Sequence, residues 1–519
     1  MLTDLVGSLA AIATPHVRAA DAASDALNGG GNAVDAAVAA VLALCVLQPY
    51  NVSLGGYGGA MLVYRADHKS VSAIDFDSRA PLAFKPELYA QHPDRANHGA
   101  LAVCVPAIVA GLDLALRELG TKRWADVSAH ALKLAEEGFD VNAALSGALG
   151  ELKKHADPIS LGAILPTGRV PAVRERWVQK DLAGLLRQLS DNPAAFYSGK
   201  IPKTIVRQLS QQGGILSEED FARYRPQVVK PIHMRYRGHE VFTPPPPAGG
   251  LTTLSILQTL EQFDLSRLQH WGAPYFELFA ESAKLCWEER RQYLGDPAFV
   301  NVPIERLLSQ QMARERADRV RHGPWATSRP MPPVGTHTVN VVVVDKARNL
   351  VSLTATMGDT FGSRVAIAGL GLPLGHGMSR FTWPAQDPHS PNSPAPGKRM
   401  QHNMSPVIVL NDGKPRAAVG MPGGTRIVTV TAQLAISLID FGATPAQAVF
   451  APRVHTDGGE PLLLSDAVSE EVARELELMG HKVKRRQPVG GAANVAVLSD
   501  DLSKVTVAGG APAGVMAVP

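Results

Sequence analysis

The sequence predicts an α+β chain, with helices dominating its first part and strands its last third. Three observations predict it. Apolar residues recur at helical spacing through residues 105–138, and helical pattern continues as far as Gln212. The β-branched runs Val339–Val344 and Leu350–Thr356 are joined by the short polar segment Asp345-Lys346-Ala347-Arg348-Asn349, a hairpin signal. Between these regions, Pro324–Pro333 holds several prolines and no periodicity, which marks a linker and the internal boundary.

At 519 residues the chain exceeds one average domain, although large mixed enzymes also form single compact units. Its 45% hydrophobic and 19% charged residues are ordinary globular composition. The balance of 51 basic against 48 acidic residues selects no polyanionic partner, and no basic run carries the interleaved aromatics of a nucleic-acid groove. Cys45, Cys104 and Cys286 lie far apart without CxxC or Cys/His spacing, so free buried thiols are expected and neither a metal nor a cofactor. Met1-Leu2-Thr3-Asp4 has no basic n-region, so the reading is a cytoplasmic chain, or a periplasmic or secreted one if a leader was trimmed. Residues Ala33–Leu47 form the most apolar run, but Asp35 interrupts it and it is too short to span a membrane.

In chain order, Asn28-Gly29-Gly30-Gly31-Asn32 is a turn, and Asn32 or the glycine before it opens the Ala-rich helix Ala33–Leu47. Leu54-Gly55-Gly56-Tyr57-Gly58-Gly59 precedes the strand Ala60–Tyr64. It is not a phosphate loop, because no Lys-Ser/Thr and no helix follows. Val71–Phe76 is a second strand, ending in the polar Asp75-Phe76-Asp77-Ser78-Arg79. Ser217 caps a helix with an acidic first turn. A strand at Arg237–Phe242 leads through Pro244–Pro247 to the helix Leu251–Phe263. Tyr275–Leu294 reads as a long amphipathic helix whose charges place it on a solvated outer face. After the linker come strands at Pro406–Leu410 and Ala417–Val419, the helix Ile427–Phe441, and paired strands within Ala492–Ala508.

The chemistry concentrates at Gly335-Thr336-His337-Thr338-Val339, where irregular chain becomes a buried strand. A hydroxyl there suits a nucleophile exposed by cutting the chain just before it, so that its own α-amine serves as base. Such an amine has an unperturbed pKa of about 7.7–8.0, close to what a general base needs at neutral pH. The alternative is an ordinary Thr-rich strand start. Thr356 lies on the paired strand, where its hydroxyl can orient that of Thr338 or simply face a neighbour. Gly423-Gly424 precedes a helix and offers unobstructed N–H groups to a phosphate or a developing oxyanion.

Taken together, the sequence resembles the γ-glutamyltranspeptidase family of N-terminal-nucleophile (Ntn) hydrolases over nearly its whole length. The resemblance rests on Gly30-Gly31-Asn32-Ala33-Val34-Asp35-Ala36-Ala37, Leu54-Gly55-Gly56, Val105-Pro106, Ala135-Glu136-Glu137-Gly138-Phe139, Pro245-Pro246-Pro247, Tyr293-Leu294-Gly295-Asp296-Pro297, Met404-Ser405-Pro406 and Pro422-Gly423-Gly424-Thr425-Arg426, all in the family's order. It implies a four-layer αββα sandwich made as one compact unit from two autoprocessed chains. Residues 1–337 form the large chain, 338–519 the small chain, and 322–337 the cleavage-site linker. It implies cleavage between His337 and Thr338, with Thr338 the nucleophile, Thr356 its support and Gly423 and Gly424 the oxyanion pair.

The departures point to a changed substrate. The family's arginine for the substrate α-carboxylate falls on Asp77, and its aspartate for the α-amino group falls on Arg380. Another family asparagine falls on Gly358, and the serine pair before Met-Ser-Pro is His402-Asn403. The expectation is a self-cleaving amidohydrolase or acyltransferase whose acyl group carries a carboxylate and is not γ-glutamyl. Arg380 would bind that carboxylate with help from His402 and Asn403. Asp77 and Arg380 can instead pair with each other. Arg79, two positions from Asp77, can restore a carboxylate contact, which keeps a γ-glutamyl hydrolase or transpeptidase as the alternative. An unprocessed ligand-binding relative is the third reading. The expected partners are a small-molecule amide and the protein's own two chains, with a higher homo-oligomer left open.

Overall fold

Two seven-stranded antiparallel sheets lie face to face in the computed structural model, which describes residues 4–90, 93–322, 337–486, 489, 493–510 and 513–518. In spatial order the first sheet runs Gly514–Val518, Ala10–Thr14, His337–Val344, Leu350–Gly358, Gly58–Arg65, Ser70–Asp77 and Gln227–Val229. The second runs Leu5–Gly7, Val505–Gly509, Asn494–Leu498, Lys414–Gly420, Val407–Asn411, His239–Thr243 and Ile232–Tyr236. Alternate side chains of a strand point to opposite faces. Val342, Val344, Leu62 and Tyr64 of the first sheet therefore meet Ile408, Leu410, Ala418 and Val507 of the second in a dry layer.

Helices cover both outer faces and complete the αββα sandwich. Val17–Asn28 and Ala33–Leu47 pack on the first sheet, Val339, Val341 and Val343 of which lie on the helix side, and Trp124–Glu137 packs against those two helices. Gly250–Leu260 and Arg426–Ile439 pack on the second, and Ala273–Tyr293 packs against Gly250–Leu260. Each fully buried valine or leucine contributes about 1.5–3 kcal/mol relative to exposure, so the two strands around the candidate nucleophile are anchored along their length.

The motif Gly31-Asn32-Ala33-Val34-Asp35 has a physical account. Asn32 accepts from the backbone N–H of Val34 and Asp35, while Asp35 accepts from that of Asn32, forming a capping box. Every residue of Ala33–Leu47 is buried, and its alanines let neighbouring elements approach closely. The Asp345 carboxylate, just past the strand His337–Val344, accepts from the N–H of Ala33 at 2.9 Å and from Asn349 at 2.8 Å. It thereby ties the helix start to the hairpin.

One expected placement is overturned. The helix at Tyr275–Leu294, observed as Ala273–Tyr293, is not a solvated outer face; Phe276, Phe279, Trp287 and even Glu281, Lys284 and Arg290 are buried. Its charges are satisfied internally: Lys284 Nζ lies 2.6 Å from both Glu281 and Glu460, and Glu289 takes the buried Arg316 at 2.7 Å. A charge-rich pattern therefore misreports exposure when each charge finds a partner. The linker Pro324–Pro333, with Gly335 and Thr336, lies outside the described residues. Among the described residues no helix is long and apolar enough to cross a membrane.

Candidate active site

Thr338 sits second in the strand His337–Val344, at a bulge where the register against Leu350–Gly358 shifts between His337 and Thr338. The bulge takes the His337–Thr338 peptide out of the regular ladder. Thr338 pairs with Thr356, and their hydroxyl oxygens are 3.0 Å apart. Thr356 Oγ1 also donates to the carbonyl of His337 at 2.8 Å and accepts from the N–H of Gly358 at 2.9 Å. A hydroxyl has a single proton, so with Thr356 donating to His337 the Thr338 hydroxyl must donate to Thr356. The result is a directed relay from Thr338 through Thr356 to the carbonyl of His337.

His337 is held on both ring nitrogens. Asn51 Oδ1 takes Nδ1 at 2.8 Å, and Thr360 Oγ1 lies 2.8 Å from Nε2. Burial pushes its pKa down, with Asp359 opposing, so the ring is neutral and fixed rather than a proton carrier. The motif reading did not single out Asn51 or Thr360. Their positions, on a turn after Ala33–Leu47 and in the loop after Gly358, become neighbours only in the folded chain.

The substrate-side residues do not assemble as expected. Asp77 and Arg380 do not pair. Asp77, at the buried end of Ser70–Asp77, takes His402 Nε2 at 2.8 Å. His402 Nδ1 accepts the N–H of Met404, so the ring is neutral with its proton on Nε2, and burial pushes its pKa down to about 3. Burial raises the Asp77 carboxyl to about 7, with Arg399 opposing, and its second oxygen has no hydrogen-bond partner among the described residues. The neighbouring Asp75 is engaged instead by Arg399, which also grips Asp296 at 2.7 Å. Arg79 donates to the carbonyl of Gly397 at 3.2 Å, and Asn403 accepts from the buried Arg290 at 2.9 Å. His402 and Asn403 therefore face Asp77 and Arg290, respectively, and neither is bonded to Arg380.

Arg380 turns to a different neighbour. It ends the short turn Gly377–Arg380, and its Nη2 donates to His376 Nε2 at 2.8 Å. His376 Nδ1 in turn donates to the carbonyl of Asn97 at 2.9 Å, and burial holds this imidazole well below its usual pKa. The guanidinium lies 5.8 Å from the Tyr57 ring centroid, its Nε is unpartnered, and among the described residues no carboxylate neutralises it. Space for it comes from Gly358, where an added Cβ would stand 2.8 Å from Arg380 Nη2. Burial raises the phenol of Tyr57, and the nearby Arg380 and Thr356 oppose that rise. Sequence reading passed over Tyr57 inside a glycine cluster.

Gly423 and Gly424, both at positive φ (146° and 65°), precede the helix Arg426–Ile439. The strand that leads to them ends at Gly420, where an added Cβ would stand 2.2 Å from the side chain of Asn340, two residues from Thr338. Among the described residues one cluster, Glu281, Glu460 and His481, has metal-ligand spacing, but Lys284 already bonds both carboxylates.

Comparison with known proteins gives consistent matches. The Gamma-glutamyltranspeptidase family profile matches residues 19–512. A glutathione hydrolase proenzyme of Escherichia coli (strain K12) is 34% identical, over 94% of this chain and 88% of its own length. An Acylase ACY 1 proenzyme of Pseudomonas sp. (strain SE83) is 35% identical, over 95% of this chain and 91% of its own. The crystal structure of a cephalosporin acylase from Bacillus halodurans superposes with a TM-score of 0.91 at 27% identity, covering 100% of this chain and 97% of that one.

Proposed function

The chain belongs to the γ-glutamyltranspeptidase family of Ntn hydrolases, and from that premise we propose a self-cleaving acylase that attacks a carboxylate-bearing acyl amide through Thr338. Arg380 carries the substrate reading. A guanidinium without a carboxylate partner, braced by a neutral histidine and packed at Gly358, two residues from Thr356, suits an acyl group that ends in a carboxylate. Relatives named acylase at 35% identity and a structural neighbour named cephalosporin acylase support it.

In self-cleavage, Thr338 Oγ1 bonds to the carbonyl carbon of His337. Its proton passes to Thr356, whose own proton passes to the former carbonyl oxygen, so no bare oxyanion forms. The C–N bond then breaks as the proton of that new hydroxyl moves to the Thr338 nitrogen, which restores the carbonyl and leaves an ester that water hydrolyses. The products are residues 1–337 and 338–519. In turnover, the freed α-amine accepts the Thr338 hydroxyl proton while Oγ1 attacks the substrate amide, and the N–H groups of Gly423 and Gly424 hold the oxyanion. The amine leaves protonated, and water or an acceptor amine takes the acyl group.

The alternative is a γ-glutamyl donor, favoured by the 34% identity to a glutathione hydrolase proenzyme and by Arg79 standing close enough to act on Asp77. Parallel assays decide. The purified chain is sequenced from each N-terminus and assayed on glutaryl, succinyl and γ-glutamyl anilides. A new terminus at Thr338 with preferred glutaryl or succinyl turnover is expected. Preferred γ-glutamyl turnover overturns the substrate reading, and an uncut chain overturns the mechanism.

A further inference from the structure

Arg426 has no part in the chemistry above, yet its surroundings are unusual for a cation. It is the first residue of Arg426–Ile439, where the positive end of the helix dipole disfavours a guanidinium. It is 8% exposed, its Nε has no partner, and no hydrogen bond to a described residue engages its side chain. Arg486 adds a second positive charge nearby and Asp457 a negative one, and burial lowers the Arg426 pKa to about 10. Behind it stands His455, kept neutral by burial and by both arginines, and bonded to Thr429 at 2.7 Å and Thr425 at 3.3 Å. A buried guanidinium left unmatched is costly unless an anion completes it.

Its location says which anion. Arg426 Nε lies 3.8 Å from the point where a Cβ on Gly423 would stand, beside the proposed oxyanion turn. Arg380 belongs to the other half of the site, packed against Gly358 at the end of a first-sheet strand, whereas Arg426 rides on a helix of the second sheet. The acyl chain and the leaving amine extend from opposite sides of a scissile carbonyl. We propose that Arg426 forms a second anion subsite, which binds a carboxylate on the amine half of the substrate. The substrate would then carry one anion on each side of the amide. This rests on the reading of Thr338 as nucleophile and of Gly423 and Gly424 as the oxyanion pair.

Two donors that share the acyl group test it: glutaryl 4-nitroanilide and glutaryl 3-carboxy-4-nitroanilide. The ratio of kcat/KM, carboxylated over neutral, is expected to be about tenfold in the parent and about one in Arg426→Gln. Arg486→Gln, an exposed substitution that should fold, is expected to cut the ratio by about twofold, and raising the salt should shrink it in the parent. Calorimetry on the processed enzyme with the product amines, 5-amino-2-nitrobenzoate and 4-nitroaniline, reads the subsite without turnover. Tighter binding of the carboxylated amine that depends on Arg426 supports the subsite even if glutaryl anilides are not cleaved, an outcome that would refute only the acyl reading. Equal binding of the two amines, or a preference that survives Arg426→Gln, overturns it.

Discussion

Gly358 is a glycine because His376 occupies the space of its side chain: a Cβ there would stand 2.3 Å from His376 Nε2. Its φ of +97° adds a second reason, since L side chains rarely adopt it. The same glycine's N–H donates to Thr356, so one position both orients the hydroxyl paired with Thr338 and makes room for Arg380. Gly358→Ala is expected to displace His376 and Arg380 and to destabilise the fold by about 1–3 kcal/mol. Thermal melts would show a lower Tm, and KM for a glutaryl anilide would rise more than KM for an anilide with a neutral acyl group. An unchanged KM ratio would separate Gly358 from substrate recognition.

The relay through Thr356 predicts different outcomes for the two threonines. Thr338→Ala should remain a single chain without activity, whereas Thr338→Ser should still cut itself. Thr356→Ala removes the donor to the His337 carbonyl and should slow cleavage by about 100- to 1,000-fold, the range seen when one oxyanion donor is lost. Denaturing electrophoresis over time reads both. Parental cleavage rates in Thr356→Ala would rule the relay out.

Arg380→Ala should leave self-cleavage intact and weaken turnover of carboxylate-bearing donors by about 10- to 150-fold, the loss of one charge-assisted hydrogen bond. A fully active variant would make the arginine structural.

The Asp77–His402 pair makes a pH-dependent statement. Burial raises Asp77 to about 7, above the roughly 3.9 of an unfolded chain, so its contribution is fully present below about pH 4 and is lost as pH rises through 7. His402, pushed down to about 3, works in the opposite sense: its contribution holds above about 6.5 and is lost as pH falls toward 3. Asp77→Asn keeps an acceptor for His402 and removes the first titration. Its Tm relative to the parent should therefore climb between pH 5 and pH 8. A pH-independent difference would show that Asp77 stays ionised throughout.

The two chains should stay together after cleavage. Strand His337–Val344 hydrogen-bonds to Ala10–Thr14 on one side, and Leu350–Gly358 to Gly58–Arg65, so both sides of the nucleophile hairpin are bound by the large chain. Native size-exclusion chromatography should give one peak containing both chains, which separate only in denaturant. Spontaneous separation in native buffer would contradict this interleaving.

What the sequence determined by itself was local or carried in motifs. The fold class, the helix start at Gly31–Asn32, the hairpin at Asp345–Asn349 and the pairing of Thr338 with Thr356 all follow from periodicity, turn chemistry and motif order. Only the tertiary structure decided partners between residues far apart in the chain. Asp77 met His402 rather than Arg380, Arg380 met His376, and Asn51 reached His337 across 286 positions. Complementary charge suggested an Asp77–Arg380 pair, but sign alone does not choose a partner. Burial does, because each polar group taken out of water needs whichever neighbour the packing brings within about 3 Å. The helix at Ala273–Tyr293 makes the same point: its charges looked solvated in sequence and proved to be paired in the interior.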